Sequence, residues 1–171
     1  MMRLIAVILG AGVLAADLLT KWLVSSSMHY YPLLDGYVTI DYVQNEGIAF
    51  GLFHSLESDW KPVILSAMAI IAVAVVIYYI LTTPHHEKLV FVSLGLLLGG
   101  ILGNFIDRLM NQHVTDFLKV HWQDAFAWPT FNVADAAITT GVMLILYESF
   151  FGRDRTPAPE PKPLGENAVD Q

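Results

Sequence analysis

Asp116 and Asp135 are the residues of this 171-residue chain best suited to chemistry. They stand in Val114-Thr115-Asp116-Phe117 and Phe131-Asn132-Val133-Ala134-Asp135, polar clusters that interrupt apolar segments of membrane length. A carboxylate at a membrane boundary is costly to desolvate, so it has a task or a partner. Two carboxylates that meet in space can share one proton and activate a water for attack on a carbonyl.

The elements that must position them are membrane helices. Apolar residues make up 55% of the chain and are gathered in blocks. A helix needs about 20 apolar residues to cross the hydrocarbon of a bilayer. Four spans fit, at about 3–24, 62–82, 88–107 and 132–151. They form one membrane domain over residues 1–152. Residues 153–171, rich in proline and charge, read as a disordered cytoplasmic tail. Arg3 before an apolar run suggests a signal peptide, but the run continues past the small-residue site at Val13-Leu14-Ala15 and three more spans follow.

Lysines and arginines in short loops set the topology. Four spans put both termini on one side, with Arg3, Lys88, Arg153, Arg155 and Lys162. The other side holds Lys61 and Lys119, with Lys21 and Arg108 at the boundary. The bias places both termini in the cytoplasm and the loops 25–61 and 108–131 outside. The first outer loop has strand character over Tyr37–Val43, a turn signal at Asn45-Glu46-Gly47, and a possible return strand at Ile48–Phe53. Leu52, Phe53 and Leu56, near Trp60, suggest an interfacial stretch, and Pro62 suits the first turn of the second span. Gly95, Gly99 and Gly103 recur every four residues in the third span, which permits close helix contact.

Each polar cluster has a bland account beside a chemical one. Asp17 and Lys21, spaced i, i+4, form an ion pair along one helix face. Asn45 and Gly47 suit a turn, or Asn45 holds an extended peptide. Asp107 and Arg108 form an ion pair at a polar helix end, or the guanidinium orients a carboxylate. Asn132 is a good N-cap, with Asp135 at the N3 position complementing the helix dipole; Asp116, placed on a separate loop, has no such explanation.

Other chemistries are excluded or unsupported. The chain has no cysteine, which removes disulfides, thiolate catalysis and cysteine-based metal sites. The net charge is −7 with no basic stripe, which argues against nucleic acid. His113, Asp116 and His121 match no standard ligand spacing, so no metal is expected. No serine-nucleophile elbow or phosphate-binding glycine loop is present.

In order along the chain stand Asp17-Leu18-Leu19-Thr20-Lys21, Asn45-Glu46-Gly47-Ile48-Ala49-Phe50, Gly99 through Arg108, His113-Val114-Thr115-Asp116-Phe117 and Phe131-Asn132-Val133-Ala134-Asp135. This series resembles the lipoprotein signal peptidase family (signal peptidase II), bacterial membrane aspartic endopeptidases, over essentially residues 1–151. The resemblance implies four transmembrane helices with a small extracytoplasmic β-cradle. It implies Asp116 and Asp135 as the catalytic pair, and Asn45, Asn104, Arg108 and Asn132 lining the substrate site. Asp17, Lys21, Gly47 and Asp107 fall at supporting positions. Thr20, Glu46, Thr115 and Ala136 depart from the common family residues; Ala136 leaves out a hydrogen bond beside Asp135.

The expected substrates are prolipoproteins carrying a diacylglyceryl-cysteine, cut just before that cysteine without a cofactor. The setting is the bacterial inner membrane, with the site near the outer leaflet and the protein monomeric among membrane lipids. Two rivals are a small transporter or proton carrier that uses intramembrane carboxylates, and a membrane scaffold. The transporter predicts polar residues near mid-bilayer, whereas the second and third spans are uncharged there. The scaffold leaves the aspartates without a purpose.

Overall fold

The computed structural model describes residues 1–47, 60–123 and 125–152. Four helices, α1 (Met2–Ser27), α2 (Lys61–Thr82), α3 (Lys88–Asn111) and α4 (Val133–Phe151), are each long and apolar enough to cross a membrane. The strands β1 (Tyr30–Leu34), β2 (Val38–Asn45), β3 (Val114–Trp122) and β4 (Phe126–Ala127) form one antiparallel sheet in chain order. The fold is membrane α-helical with a small sheet at one end. The suggested strand at Ile48–Phe53, the interfacial stretch around Leu56 and the tail 153–171 lie outside the described residues.

Helix α3 is the spine. It packs against α1, α2 and α4, whereas the backbones of α2 and α4 stay more than 8 Å apart. Lipid offers apolar side chains as good a home as protein does, so helices in membranes associate through close packing of small residues. Gly95 and Gly99 of α3 face Ala6 and Gly10 of α1 at backbone distance, and Gly100 faces Ala134 of α4. A side chain at Gly99 would strike the Gly10 carbonyl and Val13. Gly99→Val should therefore separate α1 from α3 and cost about 3 kcal/mol, read as a lower thermal unfolding midpoint in detergent.

The apolar core is split. Ala6, Val76, Ile80, Phe91 and Leu94 cluster near the start of α1, where Arg3 also donates to the Leu81 carbonyl. Val24, Ile40 and Phe117 join the other end of α1 to the sheet. Most remaining apolar side chains of α2 are exposed, as befits a surface bathed in lipid.

The sheet exceeds the sequence expectation. Only β2 is read from the sequence; β1 is an additional strand, and Asp116 stands on β3, not on a loop. Pairing explains why. Val43 pairs with Asp116 and Asn45 with Val114, so with the two-residue period of strands these four side chains share one face. The turn from α3 into β3 is abrupt: Gln112 takes a left-handed φ of 64° at the helix C-cap.

Candidate active site

Asp116 enters the site from β3 and Asp135 from the first turn of α4. The stretch before α4 brings them together. The Phe131 carbonyl accepts from the amides of Phe117 and Leu118, and Phe131 N–H donates to the Leu118 carbonyl. The next residue, Asn132, is thereby laid beside Asp116. Its amide Nδ2 donates to Asp116 Oδ1 at 2.7 Å. Its Oδ1 accepts from Asp135 N–H at 2.9 Å, and its own N–H donates to Asp135 Oδ2 at 3.3 Å, a reciprocal capping box. One asparagine thus holds both carboxylates.

Each carboxylate has a further amide donor. Asn45 Nδ2 donates to Asp116 Oδ2 at 2.8 Å, while Asn45 Oδ1 accepts from Gly47 N–H in a side-chain turn. The turn account of the Asn45 cluster is therefore observed, and the Asn45 NH2 group bonds Asp116. Asn104 Nδ2 donates to Asp135 Oδ1 at 2.8 Å. Burial pushes the Asp116 carboxyl up to about 7, and the Asp135 charge adds to the rise; the Asn45 and Asn132 donors and the Lys21 charge oppose it.

Beneath lies a buried ionic layer. Lys21 Nζ sits 2.8 Å from Asp17 Oδ2 and 3.5 Å from Asp107 Oδ2, and it donates to Asn104 Oδ1 at 2.8 Å. Asp17 accepts from Ala134 N–H at 2.9 Å, and Asp107 accepts from Thr115 N–H at 2.6 Å. Lone buried charges are prohibitive, so the three are kept as a mutually bonded set. The i, i+4 pair of Asp17 and Lys21 is as expected.

The Asp107–Arg108 ion pair is not formed. Asp107 turns to Lys21 and β3, whereas Arg108 turns the opposite way and donates to the carbonyls of Asn104 (3.4 Å) and Gly47 (3.3 Å). Neighbours in a helix point about 100° apart, which the pairwise reading of the sequence overlooked. Arg108 Nε is buried and has no hydrogen-bond partner among the described residues. His121 bonds Thr39 and does not join Asp116.

A cleft of about 1070 Å³ exposes this machinery. Asn45, Asn104, Arg108, Asp116 and Asp135 line it, along with Trp128–Phe131. Ala69 of α2 and Ile138 and Thr139 of α4 continue it between these two helices, whose backbones stay more than 8 Å apart. Sequence reasoning missed the Trp128–Phe131 wall and the backbone of Thr115 and Ala134; the only signal was their adjacency to Asp116 and Asp135.

This bundle with its capping sheet is the architecture of a bacterial membrane enzyme. A structure described as a bacterial membrane enzyme, solved by the in meso method at 2.3 Å, superposes with a TM-score of 0.75 at 25% identity, covering 90% of this chain and 94% of that one. The signal peptidase II family model matches residues 9–151, and the chain belongs to that family. It is 36% identical to a lipoprotein signal peptidase of Francisella tularensis over 151 residues, 87% of this chain and 93% of that protein. It is 37% identical to the lipoprotein signal peptidase of Symbiobacterium thermophilum over 145 residues, 83% of this chain and 91% of that protein. The protein is accordingly a multi-pass membrane peptidase.

Proposed function

We propose that this peptidase is an aspartic endopeptidase that removes signal peptides from diacylglyceryl-modified bacterial prolipoproteins, cutting just before the lipid-modified cysteine. Asp116 and Asp135 are its catalytic pair. The observation that carries this reading is the bridging of both carboxylates by Asn132 at one cleft.

Asp116, with its affinity for protons raised to about 7, holds the proton at rest. Asp135 is the base. It takes a proton from water as the water oxygen attacks the scissile carbonyl carbon, while Asp116 protonates the carbonyl oxygen. The resulting gem-diol collapses: Asp135 passes its proton to the leaving amine nitrogen, the C–N bond breaks, and a diol proton returns to Asp116. No covalent enzyme intermediate and no cofactor enter this scheme. The donors on Asn45 and Asn104 hold the carboxylates, and the Arg108 guanidinium on the cleft wall is placed to receive a substrate carbonyl.

The opening between α2 and α4 admits the signal helix and acyl chains sideways from the bilayer. In this reading residues 1–152 carry the whole activity and act as a monomer. The tail and both termini lie in the cytoplasm, and the site lies near the outer leaflet of the inner membrane.

Purified protein should release the signal peptide from a lipid-modified precursor and act far more slowly on the same precursor lacking lipid. Equal cleavage of both would defeat the assigned specificity. Because Asp116 must be protonated, kcat/KM, which reports the free enzyme, should fall as pH rises past about 7, approaching tenfold per pH unit. A rate that stays flat to pH 9 would show that Asp116 is not the acid.

A further inference from the structure

We infer that Lys21 is a positioning residue, which sets the catalytic geometry by fixing the Asn104 amide with its NH2 group toward Asp135. The inference rests on the catalytic pair proposed above and concerns a side chain that touches no substrate. Lys21 is only 4% exposed and does not line the cleft.

An asparagine amide is nearly symmetric in shape, so its partners decide which end points where. An ammonium group can only donate, so the Asn104 atom facing Lys21 at 2.8 Å must be the oxygen. Asn132 Nδ2 donates to the same oxygen at 3.1 Å. That leaves the Asn104 Nδ2 for Asp135 Oδ1 at 2.8 Å. The flipped amide would set NH2 against an ammonium and a carbonyl oxygen against a carboxylate. Without Lys21 the flip is opposed only by the Asn132 donor and by the repulsion between the amide oxygen and the Asp135 carboxylate, and the ammonium that anchors the oxygen end is gone.

The placing of Lys21 is itself determined. Asp17 and Asp107, which flank it, are 0% and 5% exposed. Asp17 is fastened to the amide just before Asp135, and Asp107 to the amide just before Asp116. The layer therefore joins α1 and α3 to the backbone beside each catalytic carboxylate. Lys21 has an electrostatic effect as well. Asp116 is faced by Asp135 from α4, Asn45 from β2, Arg108 from α3 and Lys21 from α1.

Lys21→Met in the full chain removes the donor and the charge at similar length. Per folded enzyme, kcat should fall about 100-fold with KM within about twofold. The alkaline limb of the pH profile should move to higher pH, because a cation that held the Asp116 carboxyl down is gone. Asp17→Asn with Lys21→Met deletes one charge of each sign and keeps an acceptor for Ala134 N–H. This double variant tests the loss of kcat if the single variant does not fold, with little shift of the limb because the paired charges go together. Lys21→Arg, which retains a donor, should recover part of kcat. A folded variant of either kind with wild-type kcat, or a folded Lys21→Met with lowered kcat and an unmoved limb, overturns the inference. Failure of the catalytic pair itself would register separately, as turnover by Asp135→Asn.

Discussion

Asp135→Asn and Asp116→Asn should each eliminate measurable turnover while the protein still inserts and folds. General acid–base catalysis by one carboxyl is worth up to about 10⁴-fold, and in the proposed cycle each aspartate handles a proton twice. The structural cost is far smaller. At position 135 the amide keeps one oxygen, so either the Asn104 donor or the Asn132 N–H retains its acceptor. At position 116 one of the two donors, Asn45 or Asn132, must face the new NH2 group. Each loss is about 1 kcal/mol. The control is the unfolding midpoint in detergent, which should move little, set against release of signal peptide, which should vanish. Substantial turnover by either purified variant would remove that residue from the chemistry. The same pair of variants decides against the rivals: a scaffold would keep its cellular function in both, and a transporter would show flux in proteoliposomes.

The next largest effect belongs to Asn132, and here capping and catalysis can be separated. Asn132→Ala removes the acceptor for Asp135 N–H, which costs about 1–2 kcal/mol. It also strips Asp116 Oδ1 of its shortest donor and releases the Asn104 and Thr115 carbonyl oxygens. Turnover should fall about 10³-fold, comparable to the removal of a preorganised donor. Asn132→Asp is the discriminating partner. It keeps an oxygen for the helix cap, so it should recover much of the lost stability. It places a third carboxylate against Asp116, however, so it should recover little activity. If Asn132→Asp restored turnover along with the cap, Asn132 would be a helix cap only.

The spans and the α4 cap were legible in the sequence because their causes are local. Unbroken apolar runs gave all four helices, with α3 running four residues past its expected end at 107. Asn132 and Asp135 were readable as an N-cap and its N3 partner from their spacing. What stayed hidden depends on pairing between distant segments. Thr115, Asp116 and Phe117 look like a loop until β2 supplies a ladder, since a strand has no internal hydrogen bonds to announce it. Asp107 and Arg108 look like partners until the helix turns them to different neighbours. Asp17 gives no sign in sequence that it caps a helix 117 residues away. The frame residues Asn45, Asn104, Arg108 and Asn132 were named from family resemblance, and the structure supplies the distances between them.

The bond from Asp17 to Ala134 also has a consequence for biosynthesis. The acceptor is on α1, which is made well before α4, and α4 carries the donor. Until α4 has entered the bilayer, the buried lysine layer lacks one of its walls, and Asp116 has neither Asn132 nor Asp135 beside it. If Asp116 and Asp135 are the catalytic pair proposed above, a chain lacking α4 is inactive, and the hydrolytic pair comes into being only once α4 has joined α1 and α3.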